Sequence, residues 1–342
     1  MTKIPPRSKL SIAPKYLAVL LLPIFAVAIA EAVLATFADT SVTLGDLVLT
    51  QKPEIKELIG RYRFLAVIYF YCAVCITVLG IFAAELLSRH TFASILRSLA
   101  GLVGLVLFSM LFSMFEPDWM GSFEAYELLG ASLFETGLAT GDLALCGADR
   151  CNDQGAFFAM RVTMDVVNVL SGLAVSAVIL GMVLALARPS QIDLTNRAGI
   201  LAEGATLQNA QKAVQRYLYL SGLLLSVAMV LGYAWMSWPA GLIESGATGY
   251  DDLVEAVSLY RGVTYTVLIL SFYMPVSLIQ MVRIERFQVA ANATGLEDIA
   301  AQVKGFDIER IATLDALKAI VTILSPILAS AVGGAISIAP FG

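Results

Sequence analysis

The stretch Phe64–Glu85, FLAVIYFYCAVCITVLGIFAAE, decides the fold class of this chain. It contains no charged residue before its last position, and about 20 apolar residues are enough for an α-helix to cross the hydrocarbon core of a bilayer. Comparable apolar runs lie at Tyr16–Ala38, Ser94–Phe115, Val162–Ala187, Tyr217–Trp238 and Gly262–Val282, and a seventh, which contains Pro326, lies at Ala319–Ala339. These runs predict an all-α protein, a polytopic transmembrane helical bundle with six or seven spans.

The composition of the whole chain agrees with a membrane protein. Of its 342 residues, 58% are apolar and only 14% are charged, whereas soluble proteins are about 45–50% apolar and about 25% charged. A single soluble core cannot hide so much apolar surface. The composition therefore excludes a secreted domain, a nucleic-acid-binding protein and most soluble enzymes.

The motifs of catalysis and cofactor binding are missing from the sequence. Its one histidine, His90, lies in a short polar turn and is predicted to be a solvated loop residue. Histidine-rich zinc sites and HExxH proteases need more histidines, and no GxxxxGK[ST], GxGxxG or GxSxG motif occurs. We therefore expect that the protein is not an enzyme and has no catalytic residues, no metal site and no cofactor.

Basic residues set the predicted orientation, because Lys and Arg in short loops mark the cytoplasmic side. With the N-terminus inside, fifteen of the 22 basic residues fall in cytoplasmic segments and seven outside. The outer loops then carry a net charge of −9 and the inner segments +7. This bias predicts a multi-pass protein of a bacterial-type inner (plasma) membrane.

The same topology divides the chain into six parts. They are a cytoplasmic N-terminus at 1–15, helices one to three at 16–115, an outer loop at 116–160, helices four to six at 161–282, a cytoplasmic amphipathic segment at 283–318 and an apolar C-terminal helix at 319–342. The C-terminal helix is either a seventh span or the core of an oligomer, since Ala329/Gly333 and Ser330/Gly334 form small-xxx-small pairs. We favour the span.

Cys146 and Cys151 support this topology, because they flank CGADRC in the loop that is predicted to lie outside. Disulfides form and persist on that side of the membrane. We expect a disulfide between them, with two free thiols as the alternative. Cys72 and Cys75 lie on one face of the second span and are predicted to be packing residues.

The outer loop contains a short pattern of its own. Apolar residues with helical spacing run from Phe123 to Phe134, and Glu135-Thr136-Gly137-Leu138-Ala139-Thr140-Gly141-Asp142 follows. This order resembles the pore loop of cation channels, and Phe134-Glu135-Thr136-Gly137 is similar to the single-glycine filters of Trk/Ktr-type potassium transporters. That family repeats the unit four times, whereas this chain has one copy, so the resemblance implies a homo-oligomer. The alternative is an amphipathic helix on the membrane surface, stapled by the disulfide.

Polar residues inside the spans give further candidates. Arg161, Asp165, Asn168, Gly172 and Ser176 share one face of the fourth helix. Such a face is able to line a pore below the loop. Alternatively, this polar face forms interhelical hydrogen bonds, with Asp165 bound to an arginine such as Arg61 or Arg63.

Glu31 is a second candidate, because it lies in the outer half of the first helix. A charge within the bilayer is costly and usually faces protein or water. This possible intramembrane acid is either a proton or cation site or the partner of a nearby arginine.

These observations predict an integral membrane channel or pore-like protein that conducts small cations. The alternative is a non-catalytic membrane scaffold, a complex subunit or a membrane-perturbing effector. The expected partners are the lipid bilayer, further copies of the chain and a partner membrane protein, with no nucleic acid. The predicted ion pathway consists of Glu135, Thr136, Gly137, Thr140, Gly141, Asp142, Asp165 and Asn168.

Overall fold

The computed structural model describes residues 10–37, 55–114, 153–189, 197–239, 249–293 and 313–338. Long α-helices make up nearly all of these residues, which confirms the predicted all-α bundle. The helices are α1 (Leu21–Phe37), α2 (Ile55–Arg89), α3 (Phe92–Met114), α4 (Asp153–Leu184), α5 (Arg197–Ser237), α6 (Tyr250–Ala293) and α7 (Thr313–Ile338). A 3₁₀ helix (Pro14–Leu20) leads into α1, and two short strands, β1 (Leu10–Ser11) and β2 (Arg188–Pro189), pair antiparallel.

Five helical segments of the described residues are long and apolar enough to cross a membrane. They are Tyr16–Val33, Glu57–Ser88, Phe158–Leu184, Gly199–Ser237 and Tyr250–Ala291. In α3 and α7 the apolar stretches within the described residues are shorter, at Ile95–Gly104 and Ala316–Ala331. The protein is therefore a multi-pass helical membrane protein, and we keep six or seven spans as the predicted number.

The core of the bundle lies between α2, α4, α5 and α6. Every residue of α4 from Ser176 to Leu184 is buried. Gly181 allows the closest approach, because a Cβ atom at this position would overlap the ring of the buried Tyr217 of α5. In contrast, α1 is peripheral and leaves an exposed stripe at Leu21, Phe25, Ile29 and Val33.

The C-terminal helix α7 packs against α5 and α6 of its own chain, and two glycines set the distance. A Cβ atom on Gly222 of α5 would lie 2.5 Å from Cγ2 of Thr322, and one on Gly262 of α6 would lie 2.9 Å from Oγ of Ser330. Small residues permit such close helix contacts in membranes. Ser330, one of the residues predicted for an oligomer core, is thus buried within the chain, and α7 contacts α5 at Gly222 and α6 at Gly262.

Three segments meet at one end of the bundle, which we call the predicted inner end because the charge bias predicts that it lies in the cytoplasm. β1 pairs with β2, and Leu10 also forms a bridge with His90 between α2 and α3. His90 is only 3% exposed. The prediction of a solvated loop residue was wrong, because the N-terminal strand crosses this turn and covers it.

An aromatic cluster marks the opposite end, the predicted outer end. The ring centroid of Phe64 lies 5.3 Å from those of Trp235 and Trp238. The indole N–H of Trp238 donates to Glu57 over 2.7 Å. The start of α2 thus meets the end of α5, as the predicted alternation of spans requires. Trp is typical of the membrane–water interface, where its ring and its N–H find apolar and polar surroundings.

Candidate functional site

Most of the predicted ion pathway lies outside the described residues. This holds for the loop residues Glu135, Thr136, Gly137, Thr140, Gly141 and Asp142, and also for Cys146 and Cys151. The described part of the pathway is the pair Asp165 and Asn168 on α4. The candidate site is therefore built from the charged and polar side chains of the helices.

The polar face of α4 changes from exposed to buried along the helix. Asp165 and Asn168 are exposed, Gly172 is half-buried, and Ser176 is buried in the core. Helical periodicity places the four on one face. The outer half of this face leaves Asp165 at the surface of the described helices.

The position of Asp165 has an energetic consequence. It lies within Phe158–Leu184, one of the membrane-crossing segments, seven residues after that segment begins, and charged residues within a span usually face protein or water. An exposed carboxylate in a span is therefore stable when it faces water or another polar surface. Arg61, one of the two arginines considered as its partner, forms an ion pair with Glu57 at 2.8 Å.

Glu31 has the arginine partner that the sequence allowed. Its Oε1 atom lies 2.6 Å from Nη1 of Arg261 in α6, and the two side chains are only 2% and 12% exposed. The hydroxyl of Tyr260 donates to the backbone carbonyl of Ala30 over 2.5 Å. These contacts join the peripheral α1 to α6 near the predicted outer end.

The buried pair favours a structural role for Glu31 over an open cation site, because the guanidinium neutralises its charge. The sequence pattern indicated that Glu31 is an intramembrane acid, but it did not indicate that its partner is Arg261, which is 230 positions away along the chain. A weak signal was present, since Arg261 is the one basic residue that the predicted topology places in the outer segment before the sixth span.

A second charged cluster lies at the predicted inner end. The Glu203 carboxylate of α5 lies 3.5 Å from Arg283 of α6 and 3.5 Å from Arg188 of β2. Arg283 also donates to the backbone carbonyl of Leu186 over 3.1 Å. Glu203 and Arg283 are buried, so the cluster fixes the turn after α4 against α5 and α6.

Among the residues that the structure describes, no group of three or more His, Cys, Asp or Glu side chains is placed to hold a metal ion. No family model, curated protein or solved structure matches the chain. The functional argument therefore depends on the geometry of the helices and on the sequence of the outer loop.

Proposed function

We propose that this protein is the subunit of an oligomeric membrane channel that conducts small cations. The observation that carries the proposal is the exposed Asp165 on a membrane-crossing segment, three residues from the exposed Asn168. A carboxylate in this position is stable beside water. Water and a negative charge are also what a cation pathway needs.

We use one such face from the described helices of each chain, so the proposed path requires several copies. Rotational symmetry is the usual arrangement of membrane and soluble homo-oligomers, and it would bring the same face of each copy to a common axis. Four copies would also supply the four filter segments that the resemblance to Trk/Ktr-type transporters implies. Carbonyl groups exposed by a glycine turn can replace the hydration shell of an ion.

Cation flux into proteoliposomes tests the proposal. The substitution Asp165→Asn keeps the size of the side chain and removes its charge, and Gly137→Ala alters the candidate filter. Both should abolish cation flux. Asp252→Asn is the matched control, because Asp252 is also exposed but lies in the first turn of α6, and it should leave the flux unchanged. Equal flux through the wild type, Asp165→Asn and Gly137→Ala would end the proposal.

One observation favours the second candidate, a non-catalytic subunit of a larger membrane complex. α5 and α6 have 41 and 44 residues, which is about 60–65 Å at 1.5 Å per residue and about twice the hydrocarbon thickness. At the predicted inner end, the start of α5 packs against the end of α6, and this inner helix pair has a small core of its own, Ile200, Leu207, Phe287 and Ala291.

The surface of this inner helix pair is partly apolar. Val289 of α6 is 65% exposed and lies two residues after the buried Phe287, so it points away from the small core of the inner helix pair. An exposed apolar side chain at this place is suited to contact with a partner protein. The oligomeric state in detergent separates the candidates, because a rotationally symmetric homo-oligomer supports the channel and a partner-dependent monomer supports the complex subunit.

A further inference from the structure

A cavity of about 270 Å³ opens at the predicted inner end of the bundle. It lies between the ends of α2 and α4 and the first half of α5, and Leu10 of β1 contributes to its wall. It is separate from the Asp165 face and from the Glu31–Arg261 pair. Drug-sized ligands occupy pockets of about 300–1,000 Å³, so this cavity is suited to a smaller molecule.

Small side chains create the space. Gly181 of α4 and Ala185 in the turn after α4 line the cavity, and Ala205, Ala210 and Ala213 line it from α5. A larger side chain at one of these alanines would occupy part of the cavity, whereas Gly181 makes room for the ring of Tyr217. The side of the cavity formed by α4 and α5 therefore has mostly small side chains.

The opposite side of the cavity carries ionisable and aromatic side chains. Glu85 and His90 of the α2 end and its following turn line the cavity, together with the aromatic residues Phe82 and Tyr217. A carboxylate beside aromatic rings is the combination that binds an ammonium group, because the negative faces of the rings attract a cation. The apolar part of the wall suits aliphatic groups on that cation.

The local charges at the cavity come from Glu85 and from two helix ends. Glu85 is 11% exposed, whereas its partner Arg216, 3.2 Å away, is 42% exposed and lies outside the set of described residues that line the cavity. A ligand cation therefore shares the Glu85 carboxylate with the guanidinium of Arg216. In addition, α2 and α4 both end at this cavity, and the C-terminus of each helix carries roughly half a negative charge.

We propose that this cavity is a binding site for a small organic cation, an ammonium ion with aliphatic substituents that enters from the cytoplasmic side. Glu85 supplies the charge contact, Phe82 and Tyr217 contact the alkyl groups, and the alanine side admits them. The site does not depend on ion conduction by the protein.

Choline is a suitable probe, and 3,3-dimethylbutanol is its uncharged analogue of the same shape. Isothermal titration of the full-length protein in nanodiscs should show saturable binding of choline and at least tenfold weaker binding of the analogue. Glu85→Gln should weaken choline binding about tenfold, which corresponds to about 1.4 kcal/mol. Glu285→Gln is the control, because Glu285 is an exposed acid outside the cavity wall, and it should bind choline as the wild type does.

A second variant keeps the test valid if Glu85→Gln disturbs folding through the loss of its contact with Arg216. Ala205 is half-buried at the cavity wall, so Ala205→Leu fills space with little effect on the core and should abolish choline binding in a monodisperse protein. The proposal is overturned if the folded wild type does not bind choline, if the uncharged analogue binds equally well, or if Ala205→Leu retains full affinity.

Discussion

The buried pair Glu31–Arg261 allows a quantitative prediction about how α1 is held. Arg261→Met removes the guanidinium and leaves a carboxylate that is 2% exposed without its partner. Removing one member of a buried ion pair costs about 3–5 kcal/mol, and the contact between Tyr260 and Ala30 remains. We therefore expect a loss near the lower end, about 3 kcal/mol. At about 2–4 °C per kcal/mol, the Tm should fall by about 6–12 °C.

Thermal unfolding in detergent, followed by the loss of the monodisperse peak, measures this change. The double variant Glu31→Leu with Arg261→Met removes both charges together, and apolar replacements of a buried pair are often neutral. Its Tm should therefore return close to that of the wild type. Arg216→Met is the control, because the pair with Glu85 is more exposed and exposed pairs contribute about 0–1 kcal/mol. If the Tm of the double variant is as low as that of Arg261→Met or lower, the two side chains are not coupled and our explanation is refuted.

Two further predictions concern helix contacts. Gly262→Val places a branched side chain where even a Cβ atom would lie 2.9 Å from Oγ of Ser330, so α7 should separate from α6 and become sensitive to limited proteolysis; unchanged protection would contradict the close contact. Trp238→Phe keeps the aromatic packing but removes the 2.7 Å hydrogen bond to Glu57. Hydrogen bonds to charged groups contribute about 1.5–3 kcal/mol, so a Tm that is lower by about 3–12 °C is expected, and no change in Tm would count against that bond.

The apolar runs predicted the helices well because the hydrocarbon core imposes a length and an apolar composition on each span. They predicted the helix ends poorly. α5 begins at Arg197, well before the predicted span at Tyr217, because a helix continues into water as long as its pattern is amphipathic. An apolar run predicts only the part of a helix that lies in the membrane, whereas the helix itself extends as far as its backbone hydrogen bonds continue.

Long-range partners could not be predicted from the sequence. Glu31 was recognised as an intramembrane acid that needs a partner, but its choice of Arg261 depends on how α1 packs against α6. His90 was assigned to solvent because its neighbours are polar, and its burial comes from a strand at the distant Leu10. The cavity beside it was not predicted either, since its wall combines residues from α2, α4 and α5.

Thiol accessibility along α4 tests the central claim, that the face with Asp165 borders water. Asp165→Cys, Val166→Cys and Asn168→Cys are made one at a time in a protein without its four native cysteines, and all three positions are exposed on the same turn of α4. A charged, membrane-impermeant thiol reagent should modify Asp165→Cys and Asn168→Cys in proteoliposomes and leave Val166→Cys, which faces lipid in this account, unmodified. Equal protection of all three cysteines, or modification of Val166→Cys alone, would contradict a water-lined path on this face.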